Sequence, residues 1–310
     1  MPLVSVVIPT YNRCDLLVEA IGSVQRQTVR DLEILVCDDG SSDGSAAAVE
    51  TLARSDERVR WLPGERSGFP GIVRNRGIRA ARGEWIAFQD SDDLWLPHKL
   101  ERQLGLQRSA PGAQFIYSHA AALWPSGATQ RMTPFRIRRS GRVFETFLLY
   151  SVVHTPTVLV RRALLERAGL FDERMPLRVG EDYELYLRLA AEVPFHFVDE
   201  DLVHCRAQGD SVSADLFYGI DQFQRVLEAV IARHRVPPRL AAEALCRIEL
   251  RRYKHHLLRE YPAEVRRRDL RAAWRRRPGH PLALALAATE ALGCSSALRW
   301  LLTAHARAGA

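Results

Sequence analysis

Three short polar runs hold residue types that can do chemistry: Pro9-Thr10-Tyr11-Asn12, Asp38-Asp39-Gly40-Ser41-Ser42-Asp43 and Gln89-Asp90-Ser91-Asp92-Asp93. Carboxylates crowded on one loop repel each other unless a cation or a donor compensates them. Asp90-Ser91-Asp92 spaces two hard oxygen ligands so that they can share a divalent ion. Mg2+ or Mn2+ suits such a pair, because it takes few protein carboxylates and fills its shell with water and phosphate oxygens. Tyr11 offers an aromatic face for a base, Asp39 a carboxylate for a base or ribose donor, and Arg74 a charged fork for phosphates. Together these describe a nucleotide-diphosphate and metal site. Singly, each has a plainer reading. Asp39 to Asp43 suits a turn and helix cap. Tyr11 suits core packing, D-x-D any acidic turn, and Arg74 a solvated helix face. Their occurrence at successive strand ends favours the functional reading.

The elements that must position these residues alternate strand and helix over the first 110 positions. LVSVVI (3–8), LEILVC (32–37), the short run 59–62 and EWIAF (84–88) read as strands. Stretches 15–25, 42–54, 70–82 and 97–107 read as helices. Such alternation implies right-handed crossovers and a mostly parallel sheet. The carboxyl ends of parallel strands share one edge, where ligands bind in open α/β sheets. The middle adds strands at 114–121, 155–160, 195–198 and 202–206, helices at 161–168 and 181–191, and a basic loop at 131–142. Gly180-Glu181-Asp182 opens an apolar-striped helix, and its dipole favours carboxylates in the first turn. Two look-alikes fail. Asp39-x-Ser41-x-Asp43-Gly44 nearly fits a calcium loop, but a strand rather than a helix precedes it. The aspartyl-phosphate phosphatases place D-x-D after the first strand, not the fourth.

VSVVIPTYNR (4–13), EILVCDDGSSDGS (33–45), RNRGIRAARGEWIAFQDSDDLWLP (74–97) and GEDYELYLRL (180–189) resemble the family 2 glycosyltransferases. These are inverting, metal-dependent enzymes of the GT-A fold that use nucleotide-sugar donors. The resemblance covers about residues 3 to 214. It implies a nucleoside site at Pro9, Thr10, Tyr11 and Asp39, with Asp39 facing the base, and a donor-phosphate contact at Arg74. It implies metal ligation by Asp90 and Asp92 around Ser91, with Asp92 the stronger ligand, and Asp182 as catalytic base. The implied cofactor is Mn2+ or Mg2+, and UDP is the default donor nucleotide. The acceptor side is expected at 152–157 and 175–180. One departure is visible. Where the family often carries R-x-H-x-x-S-x-S, this chain has Arg206-Ala207-Gln208, so a third protein ligand is in doubt and His204 reads as a half-buried strand histidine.

The rest of the 310-residue chain sets location and partners. Hydrophobic residues are 47% and charged ones 26%, which excludes a mainly disordered or collagen-like chain. Five scattered cysteines without CxxC spacing speak against a zinc site or a disulfide framework and fit a reducing compartment. From position 215 onward there are 18 basic and 9 acidic residues, so the net charge of +7 is carried by the tail. Proline-punctuated helices fill it. The expected organisation is a GT-A domain over 1–214 and a basic helical C-terminal extension over 215–310. The N-terminus enters a strand pattern by residue 3 without a charged leader, so no signal peptide and a cytoplasmic location are expected. The tail suits peripheral contact with the anionic inner face of the membrane. The acceptor class expected is a surface polysaccharide or lipid-linked glycan. No nucleic-acid partner is expected, since the arginines lack interleaved aromatics. A catalytically inactive sugar-nucleotide fold acting as a scaffold through its tail is the competing reading.

Overall fold

The computed structural model describes residues 1–132, 139–207 and 216–292 together with 294, 296 and 298. Close contacts divide the chain into two compact units, Met1–Asp210 and Ser211–Ala310.

The first unit is built on one sheet. β1 (Val4–Thr10) lies between β2 (Leu32–Asp38) and β4 (Trp85–Phe88), with β3 (Val59–Leu62) outside β2, and all three pairings are parallel. Helices α1 (Cys14–Gln25), α2 (Ser45–Ser55) and α3 (Pro70–Ala80) make the connections. β1, β2 and β4 are almost wholly buried, as their apolar runs require. Val4, Val6, Ile8, Ile34, Val36 and Ala87 pack with Leu17 and Ile21 of α1 in one core. α3 crosses the sheet closely at Gly77, where a Cβ would lie 2.5 Å from Val7 and 2.7 Å from the Cys37 sulfur.

Beyond β4 the sheet turns mixed. β8 (Leu159–Arg161) runs antiparallel to β4 and to β6 (Phe115–Leu123), β9 (His196–Arg206) runs parallel to β6, and the two-residue β5 (Leu94–Trp95) closes the far edge against β9. β7 (Thr129–Arg131) pairs with β6 alone. This half departs from the pattern-based expectation in detail. Residues 155–157 form a tight 3-10 turn, not strand, because the Thr157 amide and hydroxyl both bond back to the His154 carbonyl. The two strands expected at 195–206 are one continuous β9, its irregularity absorbed by register shifts opposite Ser118–Ala120. α4 (Lys99–Ser109), α5 (Phe144–Leu149), α6 (Arg162–Ala168) and α7 (Glu181–Glu192) flank it.

The second unit contains α8 (Leu216–His234), α9 (Pro238–Leu258), α10 (Ala263–Arg276) and α11 (Pro281–Ala291). Pro238 and Pro281 stand in the first turn of α9 and α11, where a missing amide costs nothing. Cys246, Leu250, Tyr253, Leu257, Leu270, Ala273 and Ala283 form its core. Buried polar pairs accompany it, Glu290 accepting from Tyr253 at 3.0 Å and from Arg266 at 2.6 Å. Among the described residues no helix is long and apolar enough to cross a membrane.

Candidate active site

The polar loops after β1, β2 and β4 meet at the carboxyl edge of the parallel strands. The first two are laced together: the Asn12 amide donates to the Ser41 hydroxyl at 3.0 Å, the Ser42 amide to the Asn12 side chain at 2.8 Å, and the Cys14 amide to Asp43 at 2.9 Å. Asn12 takes φ 46°, a left-handed conformation that asparagine tolerates. Asp43 and Ser41 are thus used in the lacing, which is why α2 starts at Ser45 rather than at Ser42. Asp38 folds back on the amides of Gly40 and Ser41 and is a turn-forming residue. Pro9 and Thr10 end β1 opposite Cys37 and Asp38. The Thr10 hydroxyl is buried with no hydrogen-bond partner among the described residues, a costly state unless a ligand or water fills it.

Tyr11 stands 40% exposed at this corner. Asp39 beside it is buried, and its oxygens accept the Ser67 amide and hydroxyl, both at 2.7 Å, the Gly68 amide at 2.9 Å and the Arg66 guanidinium. Burial pushes its pKa up, but these donors outweigh that and hold it below the usual carboxylate value. Arg66 also stacks on the Tyr11 ring, 3.5 Å from its centroid. Arg76 passes beneath, donating to the Asp38 carbonyl at 2.7 Å.

The acidic loop behaves in the opposite way. Ser91 and Asp93 are buried, while Asp90 and Asp92 are partly open. Burial first, and the neighbouring Asp90 second, raise the pKa of Asp92, although Arg13 pairs with it. Asp93 is raised well above its ordinary value by burial and by both neighbours, and its oxygen accepts the Arg206 amide at 3.0 Å.

Arg74 sits differently from its expected place as an open phosphate fork. Its side chain is 6% exposed, and one terminal nitrogen donates to Asp90 at 2.7 Å and the other to Glu181 at 2.6 Å. One guanidinium therefore ties the D-x-D loop to the helix that carries Asp182. Gly71 permits this approach of α3, since a Cβ there would lie 3.3 Å from the Glu181 side chain. Glu181 is pushed up to about 7 by burial and by Asp182, with Arg74 acting against both. Asp182 follows Gly180, whose φ of 87° turns the chain into α7. It accepts the Thr155 hydroxyl at 2.6 Å and the Tyr183 amide at 2.7 Å. The Thr155 turn is itself held, since its Pro156 and Thr157 carbonyls accept from Trp95 at 2.9 Å and Gln103 at 2.7 Å.

The residues given site roles in the sequence lie along this edge, in two groups: Pro9, Thr10, Tyr11 and Asp39 at one corner, and Arg74, Asp90, Ser91, Asp92 and Asp182 around the acidic loop. Sequence reasoning passed over Arg13 and Arg66, named Glu181 only as the neighbour of Asp182, and included Thr155 in the expected acceptor segment without giving it a role. Arg13 and Glu181 were inside the quoted motifs, adjacent to assigned residues. Arg66 comes from a loop with no readable pattern, and Thr155 from a segment read as strand. Gln208 lies outside the described residues, and His204 is on β9 opposite Leu94. Hard oxygen donors are the right chemistry for Mg2+ or Mn2+. No group of three or more His, Cys, Asp or Glu side chains is arranged to hold a metal among the described residues. Two carboxylates plus water and phosphate oxygens still fit such an ion.

Residues 5–169 match the profile of Glycosyl transferase family 2, and the chain belongs to that family. An uncharacterized glycosyltransferase of Rickettsia felis is 34% identical over 207 residues, 66% of this chain and 33% of the relative, so the chain spans about a third of that protein's length. The Escherichia coli protein WfgD, a UDP-Glc:alpha-D-GlcNAc-diphosphoundecaprenol beta-1,3-glucosyltransferase, is 41% identical over 104 residues, 34% of this chain and 40% of WfgD. Staphylococcus aureus TarS, solved with UDP-GlcNAc, superposes with a TM-score of 0.67 at 20% identity, over 88% of this chain and 79% of that one. That likeness shows the fold, which is GT-A with a helical C-terminal region.

Proposed function

We propose that this protein transfers a hexosyl unit from a nucleotide-diphosphate sugar to an acceptor hydroxyl, with inversion. The single observation that carries this is the Asp90–Arg74–Glu181 bridge, which fixes an acidic loop suited to a divalent ion, and through it to a diphosphate, next to Asp182. Donor and acceptor chemistry would thereby meet at one place. At the other corner the base stacks on Tyr11 and hydrogen-bonds Asp39, with Pro9 and Thr10 shaping the wall. A carboxylate acceptor suits bases that present a ring N–H, and UDP is the donor proposed, in keeping with the donors named for WfgD and TarS.

Asp92 and Asp90, with Ser91 between them, would hold Mn2+ or Mg2+. That ion would supply charge neutralisation on the departing diphosphate. Asp182 receives the acceptor proton as the hydroxyl oxygen attacks the anomeric carbon. The bond from that carbon to the diphosphate oxygen breaks on the opposite face. Thr155 orients Asp182 by its hydroxyl, and Arg74 fixes Asp90 and the start of α7. The acceptor is proposed to be a surface polysaccharide or lipid-linked glycan, entering past 152–157.

We read 1–214 as the catalytic domain and 215–310 as an extension that rests on anionic lipid near the inner face of the cytoplasmic membrane. Arg267, Arg268, Arg271 and Arg275 are exposed on α10 at helical spacing, with Trp274 51% exposed among them. A cationic stripe with an interfacial aromatic complements such a surface. The test of activity is release of nucleotide diphosphate from UDP-, GDP- and dTDP-sugars with manganese. Manganese-dependent release from one donor is expected. Nucleotide binding without any hydrolysis or transfer to any acceptor would favour the scaffold reading.

A further inference from the structure

The base corner is already filled by the protein's own Arg66. Its guanidinium covers the ring of Tyr11 at 3.5 Å and pairs with Asp39. These are the aromatic face and the carboxylate on which the base is proposed to sit. The loop carrying Arg66 is seated on the turn after β2: a Cβ at Gly40 would lie 3.1 Å from the Arg66 amide nitrogen and 3.3 Å from its Cβ. Asp39 Oδ1 takes two donors from Ser67, and Oδ2 takes the Gly68 amide and Arg66. A carboxylate oxygen offers about two lone-pair directions. Both oxygens are therefore full. Arg76 also reaches Oδ1, but only at 3.5 Å and while donating to the Asp38 carbonyl at 2.7 Å, so the Arg66 contact, from a long, half-exposed side chain, is the one able to swing away.

We propose that Arg66 is a resident competitor for the base, occupying its stacking face and its hydrogen-bond acceptor until a nucleotide displaces it. This rests on the reading of Tyr11 and Asp39 as the nucleoside site. Displacement exchanges one cation–π contact and one partly exposed ion pair for a stacked base and one N–H donor. Both lost contacts are individually modest. Their loss sets the donor affinity lower than the corner alone would allow. The freed guanidinium is left in solvent, where its hydration offsets part of the loss.

The experiment is calorimetric titration of the full chain with UDP, GDP and dTDP in manganese, and with the free nucleosides, for wild type, Arg66→Ala and Arg66→Lys. Arg66→Ala is expected to bind its preferred nucleotide about 5- to 30-fold more tightly, with Arg66→Lys between. The same gain is expected with the nucleoside, because the contest is at the base. Equal or weaker binding of nucleotide by Arg66→Ala overturns the proposal and makes Arg66 neutral or a direct donor contact. A gain confined to the diphosphates overturns it too. Failure of every nucleotide to bind both proteins sinks the nucleoside site itself, which separates the two claims.

Discussion

The two ends of the site edge use carboxylates in opposite ways. At the base corner Asp39 is surrounded by donors, and its pKa lies below the ordinary carboxylate value despite burial. At the acidic loop Asp92, Asp93 and Glu181 lie above theirs, because burial and like charges outweigh Arg13 and Arg74. At the first end the carboxylate is satisfied by the protein itself. The second concentrates negative charge that the protein only half compensates. A corner of the first kind binds by exchange, one partner for another. An edge of the second kind has a standing electrostatic reason to take up positive charge.

The largest expected effect lies beside the strained end. Asp182→Asn should fold and bind donor but lose transfer by about 10²–10⁴-fold, the usual worth of general-base help. Single-turnover assays with donor affinity measured in parallel check this, and wild-type turnover would remove the assignment. Arg74→Met should destabilise the first unit by about 2–4 kcal/mol, since it leaves the mostly buried Glu181 and the partly open Asp90 without their shared cation. Urea titration reads it, and a change under 1 kcal/mol would mean the bridge is not formed in solution. Asp92→Asn should abolish the difference between donor affinities in manganese and in EDTA. A difference that survives would put the ion elsewhere.

A pH series sharpens the contrast further. Glu181 has a folded pKa of about 7 against an ordinary 4.5, so the native state holds its proton more tightly. Stability from this group is therefore greatest at acid pH and falls as pH rises from 4.5 through 7. Asp39 works the other way, contributing above its ordinary 3.8 and losing that contribution as pH falls toward its lowered folded value. Glu181→Gln should flatten the stability curve between pH 4.5 and 7 and leave the acid limb unchanged. An unaltered slope would show that another group titrates there. The smallest effects per residue belong to the tail. Each of Arg267, Arg268 and Arg271 changed to Glu should weaken binding to vesicles containing phosphatidylserine by about 1 kcal/mol or more. Vesicle affinity indifferent to salt and to all three changes would remove the membrane role.

Much of this was legible in the chain. Continuous apolar runs, β-branched in β1 and partly so in β2, placed β1, β2 and β4, and strand ends told where the loops must converge. The same runs could not tell that the sheet becomes mixed after β4. That depends on which edges remain open for pairing, and residues 94–95 and 129–131 are too short to carry a pattern. Nor could they separate Thr155–Thr157 from strand, because Thr-Pro-Thr suits either until the His154 carbonyl is seen to accept twice.

For the site, the sequence determined which side chains stand at the carboxyl edge, because alternation and crossover handedness fix that edge without knowledge of contacts. Only the tertiary structure decided what each side chain is bonded to. Arg74 illustrates the difference. Its place on α3 was readable, but whether its fork meets solvent, phosphate or carboxylate depends on Glu181, 107 positions away. Arg66 makes the same point at the other end, since Tyr11 and Asp39 meet it only through a loop closed across 27 residues. Local pattern sets where a charge is placed along the chain, and long-range packing sets its partner and its energy.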